Sequence, residues 1–236
     1  MNKFITTALL LLAVALLCWG AWQWRQSAQE DRVSDGQMEI KPEIDPAEDP
    51  QAARMSFTAM QAENPDIIGW IAIDGLGVDY PIVQSTDNSY YLKYTAQRRP
   101  SDLGALFMDY RNHRDFSDFN SVVYGHYKKT GKMFGQLKRL RTQANFDKVT
   151  EGILYTPGKT YRLEIFAAVL ADRASEFYQY IFPDPRSREA HLDMIRAQAV
   201  CYRSIDVAVN DRLLVLSTCS YEYEGARTLV IAKIAE

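Results

Sequence analysis

Hydrophobic and polar positions divide the chain into three textures. Residues 4–22 form an apolar stretch, and no charge interrupts it before Arg25. Roughly 18 or more such residues, rising 1.5 Å each, can cross a hydrocarbon layer about 30 Å thick. Residues 26–50 are polar and acidic and contain Pro42, Pro46 and Pro50, which reads as a solvated linker. From 51 to 236 the pattern becomes globular. Residues 52–63 place Met55, Phe57, Ala59 and Met60 at helix-like spacing, and Asn64-Pro65 ends that helix. Short strand-like runs follow at 67–73, 78–83, 104–109, 121–125, 152–155, 160–170, 212–218 and 228–234. Asp74-Gly-Leu-Gly77 supplies a hairpin connection between the first two. Helices are predicted at 133–141 and at 185–202. The second of these places Leu192, Ile195, Ala199 and Tyr202 at three- and four-residue steps. Many short strands with few helices predict a mainly β fold, a barrel decorated by helices.

The apolar segment is longer than the 7–15 residues usual for a cleaved signal peptide. It ends among Trp19, Trp22 and Trp24, which suit a membrane–water interface better than a cleavage site. Cys18 hints at a lipoprotein, but Leu17 before it is too bulky for that processing. Residues 1–25 therefore read as an uncleaved signal-anchor. Its charge bias is weak, with Lys3 on one side and Arg25 on the other. The short N-terminal tail favours a cytoplasmic N-terminus and a domain outside the cell membrane. Only Cys201 and Cys219 would then lie in the exported domain, and an unpaired exported thiol needs an explanation.

Composition narrows the classes further. A chain of 236 residues, 47% hydrophobic and 24% charged, holds one globular domain with appendages and is neither disordered nor fibrous. A net charge of −3 gives no electrostatic reason to expect nucleic acid. Three widely spaced cysteines and three histidines form no disulfide framework and no recognisable metal-ligand pattern. No cofactor is expected.

Two apolar strands end in reactive side chains. The run 212–218 leads into Cys219; a polar loop follows, and Arg227 opens the last strand. Hairpin neighbours would bring Cys219 and Arg227 face to face, where a cation can favour the thiolate and stabilise a developing oxyanion. The alternative is a structural cysteine and a surface arginine. Ser121-Val-Val-Tyr-Gly-His126 is a second such strand, and its histidine can serve as proton donor to a leaving amine. His113, in a charged loop, and His191, on the long helix, are expected at the surface, and Cys201 is expected to be packed. Glu222 and Glu224 either orient Arg227 or are solvated, with solvation favoured.

The ordered set of His126, Leu216-Ser-Thr-Cys219 and Arg227 behind a membrane anchor resembles the sortase family. Asn64-Pro-Asp-Ile-Ile-Gly-Trp-Ile, Tyr80-Pro-Ile-Val-Gln84, Gly104-Ala-Leu-Phe-Met-Asp-Tyr-Arg-Asn112 and Met133-Phe-Gly-Gln-Leu137 are similar to class B members in particular. So is a long helix between the sixth and seventh strands. The resemblance implies a closed barrel of about eight strands and a cysteine transpeptidase of Gram-positive bacteria. Cys219 would cleave a C-terminal sorting signal of a secreted protein after threonine, with an Asn-Pro-x-Thr-x type motif, and form a thioacyl-enzyme. His126 would shuttle the proton and Arg227 would hold substrate and oxyanion. An amine of a peptidoglycan precursor would accept the acyl group. Ser217, Leu92, Asn88, Tyr178, Tyr180 and Ile181 match substrate-binding positions, and Asn88 would lie near the cysteine. No calcium site of the kind some class A members use is evident.

Two other readings remain open: an exported thiol protease or amidase that only hydrolyses, and a non-catalytic anchored binding protein whose cysteine is structural.

Overall fold

The computed structural model describes residues 2–38 and 50–236. Helix α1 (Asn2–Met38) contains the stretch Thr7–Gln29, with mean hydropathy 1.6 and no residue buried, long and apolar enough to cross a membrane. The segment expected as a linker from 26 onward continues this helix to Met38, because it lacks proline until Pro42. Residues 39–49 of that linker lie outside the described residues.

Helix α2 (Pro50–Glu63) precedes nine strands: β1 (Ile67–Ile73), β2 (Val78–Val83), β3 (Leu106–Met108), β4 (Asn120–Tyr124), β5 (Glu151–Tyr155), β6 (Thr160–Asp172), β7 (Ala199–Tyr202), β8 (Arg212–Cys219) and β9 (Ala226–Ala235). Their order is β5-β1-β2-β3-β4-β8-β9-β6, and β6 pairs back onto β5. Eight strands thus close a barrel, with β7 added along the upper half of β6. The β2–β3 and β4–β8 pairs are parallel; the other ladders are antiparallel. The β1–β2 turn forms where expected, and Gly75 (φ 78°) and Gly77 (φ 59°) adopt the left-handed backbone it requires.

The strands read as near-continuous apolar runs because both faces are covered. Inside the barrel lie Ile71, Ile73, Leu106, Val123, Leu214, Leu216 and Val230. Outside, α2 sets Phe57 and Met60 against Trp70 and Tyr91. On another flank, helix α4 (Pro185–Gln198) sets Leu192 and Ile195 against Phe166, Val215 and Leu229. Helix α4 starts at Asp184, whose side chain accepts the Ser187 N–H at 2.7 Å, with Pro185 in the first turn. It lies between β6 and β7, as expected.

Two expected helices are shorter than their periodicity suggested. Residues 199–202 leave the helix and pair with β6, which buries Cys201. In 133–141, Met133 has φ 54° and bridges Tyr127, and helical turns of the 3₁₀ type begin only at Leu137. A short helix α3 (Gln143–Phe146) follows.

Candidate active site

Strand alternation decides which face the reactive groups occupy. On β8, Leu214 and Leu216 point into the barrel, while Leu213 and Val215 join the outer core beneath α4. Ser217 and Cys219 continue the outer series. On β9, Val230 and Ala232 point inward and Leu229 and Ile231 outward, so Arg227 is outward too. On β4, Val123 is inward and Val122 outward, and Tyr124 and His126 follow the outward series. Register then aligns them. Cys219 pairs with Arg227 across β8–β9. Tyr124 pairs with Ser217 across β4–β8, and the Gly125 N–H donates to Ser217 O at 3.0 Å. His126 therefore leaves its strand level with Cys219. Cysteine and arginine stand on neighbouring strands about 4.8 Å apart, and the histidine follows two residues beyond the end of β4, the strand on the other side of β8, at the same end of one face.

His126 is oriented by backbone. Its Nε2 lies 2.8 Å from the carbonyl oxygen of Leu92. A carbonyl only accepts, so Nε2 keeps its hydrogen and Nδ1 is the nitrogen left to gain and lose a proton. Leu92 ends a 3₁₀ turn (Tyr90–Leu92) fixed by the buried Tyr91. The Tyr91 hydroxyl accepts from Asn64 Nδ2 at 2.8 Å and donates to Asp66 Oδ2 at 2.7 Å. Burial pushes this phenol up to about 12, so it stays a donor. Gly104 (φ 63°) lies against the same group: a Cβ there would be 2.6 Å from Tyr91 O, 3.0 Å from the His126 ring and 3.1 Å from Leu92 O.

Cys219 is a free thiol, half-buried. Arg227 turns Nη1 onto the carbonyls of Ala226 (2.9 Å) and Gly225 (3.4 Å). Ser217 is buried, and its hydroxyl lies 2.9 Å from the Tyr178 hydroxyl. Burial pushes the Tyr178 phenol up to about 12, against the opposing hydrogen bond of Ser217 and the positive charge of Arg227.

Tyr178, Tyr180 and Ile181 line a groove of about 820 Å³ together with Arg111, Arg173 and Glu176. Leu92 is exposed at the histidine's side. Asn88 precedes the 3₁₀ turn that carries Leu92, and its side-chain oxygen accepts the Tyr110 N–H at 3.0 Å.

Several residues that shape the site escaped the sequence reading. Asn120 Nδ2 donates to Phe177 O (3.1 Å) and Gln179 O (2.8 Å), fixing the groove loop. Asp109, Arg111 and Tyr124 form a cluster beneath it. Glu222 neither orients Arg227 nor is merely solvated. It pairs with Lys138 at 2.7 Å and with Arg141, because the β8–β9 loop folds over the 3₁₀ segment. Glu224 is exposed. His113 is exposed and paired with Asp118. His191 is a correction: it is 3% exposed, enclosed by Phe119, Phe177 and Phe182. The groove loop folding onto α4 covers a position that the helix period alone leaves on the rim. Cys201 is packed and unpaired with Cys219. Among the described residues no metal-ligand cluster occurs.

Known proteins identify the family. The family model for the sortase domain matches residues 71–235. The chain is 36% identical to sortase B of Listeria monocytogenes over 181 residues, covering 74% of this chain and 72% of that one. The structure of a mutant form of Clostridium perfringens sortase B superposes with TM-score 0.80 at 30% identity, covering 87% of this chain and 98% of the other. The Staphylococcus aureus sortase B–substrate complex superposes with TM-score 0.78 at 25% identity, covering 91% and 98%. The expected eight-stranded barrel with its helix between β6 and β7 is thus the sortase fold, and the chain belongs to the sortase B family of cysteine transpeptidases.

Proposed function

We propose that this transpeptidase cleaves a C-terminal sorting signal of the Asn-Pro-x-Thr-x type after its threonine and joins the product to an amine of a peptidoglycan precursor. The observation that carries the reading is the pairing of Cys219 with Arg227 across β8–β9, with His126 leaving the end of β4 beside them.

In the first half-reaction Cys219 Sγ, its proton passed to His126 Nδ1, attacks the threonine carbonyl carbon. Negative charge develops on the carbonyl oxygen, and the Arg227 guanidinium lies on the adjacent strand to receive it. The C–N bond breaks as the imidazolium protonates the departing amine, leaving a thioacyl-enzyme. In the second half-reaction His126 takes a proton from the incoming amine. Its nitrogen attacks the thioester carbonyl, and sulfur leaves. Ser217, Leu92, Asn88, Tyr178, Tyr180 and Ile181 bind the peptide.

The apolar stretch Thr7–Gln29 supports residues 1–25 as a single membrane anchor, and the sortase-domain match over 71–235 supports 51–236 as the catalytic domain. The cytoplasmic N-terminus and the extracellular domain facing the cell wall rest on the short N-terminal tail. The solved complex of Staphylococcus aureus sortase B with a substrate supports substrate binding by this chain.

A fluorogenic pentapeptide panel, varied at its first and third positions and assayed with and without an amine acceptor, tests the reading. Cleavage after threonine, abolished by Cys219→Ala and joined to the amine when one is present, is expected. Hydrolysis that no amine diverts would mean a thiol protease, and cleavage surviving Cys219→Ala would end the proposal.

A further inference from the structure

Both groove tyrosines trace back to one buried carboxylate. Asp109, 1% exposed, stands just beyond β3. Its Oδ1 accepts from the Arg111 backbone N–H (3.0 Å) and from Arg111 Nε (2.8 Å). Its Oδ2 accepts from Arg111 Nη2 (2.7 Å) and from the Tyr124 hydroxyl (2.9 Å). Burial raises the carboxyl, but these donors outweigh it and hold Asp109 below its ordinary range. The same cluster leaves by two routes. The Arg111 guanidinium lies 4.3 Å from the centre of the Tyr180 ring. The Tyr124 ring stacks on Tyr178 at 6.0 Å and 18°, and Tyr178 meets Ser217, two residues before Cys219.

We propose that Asp109 and Arg111 are positioning residues for peptide specificity: the carboxylate locks a guanidinium under Tyr180 and a phenol under Tyr178, fixing the two aromatic walls of the groove. The proposal rests on the peptide-groove reading above and deepens it. A fork-shaped cation is required, since only a planar guanidinium can chelate a carboxylate edge-on while presenting its face to a ring. Neither residue is in contact with Cys219, His126 or Arg227 in the hydrogen-bond network, so their loss loosens the walls and leaves the thiol chemistry in place.

The test uses the full-length chain in detergent and an Asn-Pro-x-Thr-x peptide. Asp109→Asn replaces a carboxylate that is 1% exposed and holds two partners at once, and so endangers folding; Arg111→Lys and Tyr124→Phe are the informative variants. Each is expected to raise KM about three- to tenfold, the scale of a lost cation–π or aromatic contact. Their kcat values and the iodoacetamide alkylation rate of Cys219 should stay within about twofold. Arg111→Ala and Tyr180→Ala should be non-additive, the double variant losing no more than Arg111→Ala alone. Backbone amide exchange over 176–183 should quicken in Arg111→Lys. An unchanged KM in folded Arg111→Lys, or a fall confined to kcat and alkylation, overturns the proposal. If the wild-type chain cleaves no such peptide, the functional reading fails separately, and exchange decides: unaltered protection of 176–183 in Arg111→Lys then refutes the positioning role.

Discussion

The Leu92 carbonyl stands 2.8 Å from His126 Nε2 and occupies the place where many catalytic histidines have a carboxylate. A neutral acceptor fixes the tautomer without adding charge. Gly104 guards this pair, since any side chain there meets Tyr91 O, the imidazole and Leu92 O together. Gly104→Ala must displace one of them and also force alanine into a left-handed backbone at a cost of about 1–2 kcal/mol. We expect kcat/KM for peptide cleavage to fall about a hundredfold, the scale of a misplacement near 1 Å, while a circular-dichroism melt shows a retained fold. Full activity in this variant would mean that the ring is not held by the Gly104 contact.

The Tyr178–Ser217 hydrogen bond makes a stability prediction that is separate from catalysis. Tyr178→Phe leaves the buried Ser217 hydroxyl without its partner, and roughly 1–3 kcal/mol should be lost. Adding Ser217→Ala removes the orphaned group, so the double variant should recover part of that loss. Urea denaturation of the four forms closes the cycle; a coupling energy near zero would show that water satisfies Ser217 as well as tyrosine does.

Side-chain pattern made the barrel and the three reactive residues legible, because alternation along apolar strands and the order of His126, Cys219 and Arg227 are both properties of side chains. What stayed hidden depends on backbone or on distant packing. Leu92 contributes a carbonyl, which every residue carries. Ala199–Tyr202 continues a helical period that only its pairing with β6 interrupts. Asn120 and Asp109 drew no role from the sequence pattern, and their work appears once the groove loop folds back over β4. The motif residue Gln84 likewise donates to Asp109 O and Asn112 O at 2.8 Å, clamping the turn on which that cluster stands.

Glu222 predicts how the loop beside Cys219 responds to acid. Arg141 first, then Lys138 and Ser220, hold its carboxyl far below the ordinary value of 4.5. A depressed carboxylate contributes stability that is fully present above its unfolded value and is lost only as pH falls through the folded one. Backbone exchange over 220–225 should therefore be equally slow at pH 7 and pH 5 after correction for intrinsic rates. Glu222→Gln should quicken it severalfold at both. Equal protection in the variant would show that the ion pairs contribute nothing to loop closure.

His191 gives the same sign at a higher pH. Burial among Phe119, Phe177 and Phe182 lowers its imidazole from 6.5 to about 4, and Nε2 has no hydrogen-bond partner among the described residues. The unfolded chain binds a proton below pH 6.5 that the folded chain refuses until about pH 4. Stability from the neutral ring is thus complete above pH 6.5 and declines as pH falls toward 4, by roughly 3 kcal/mol. Because His191 supports the groove loop through Phe177 and Phe182, that loop should loosen first. Denaturation of wild type and His191→Leu at pH 7, 5.5 and 4 checks this. The variant should lack this component of the acid slope, and parallel slopes in the two proteins would show that the ring titrates without resistance from its aromatic enclosure.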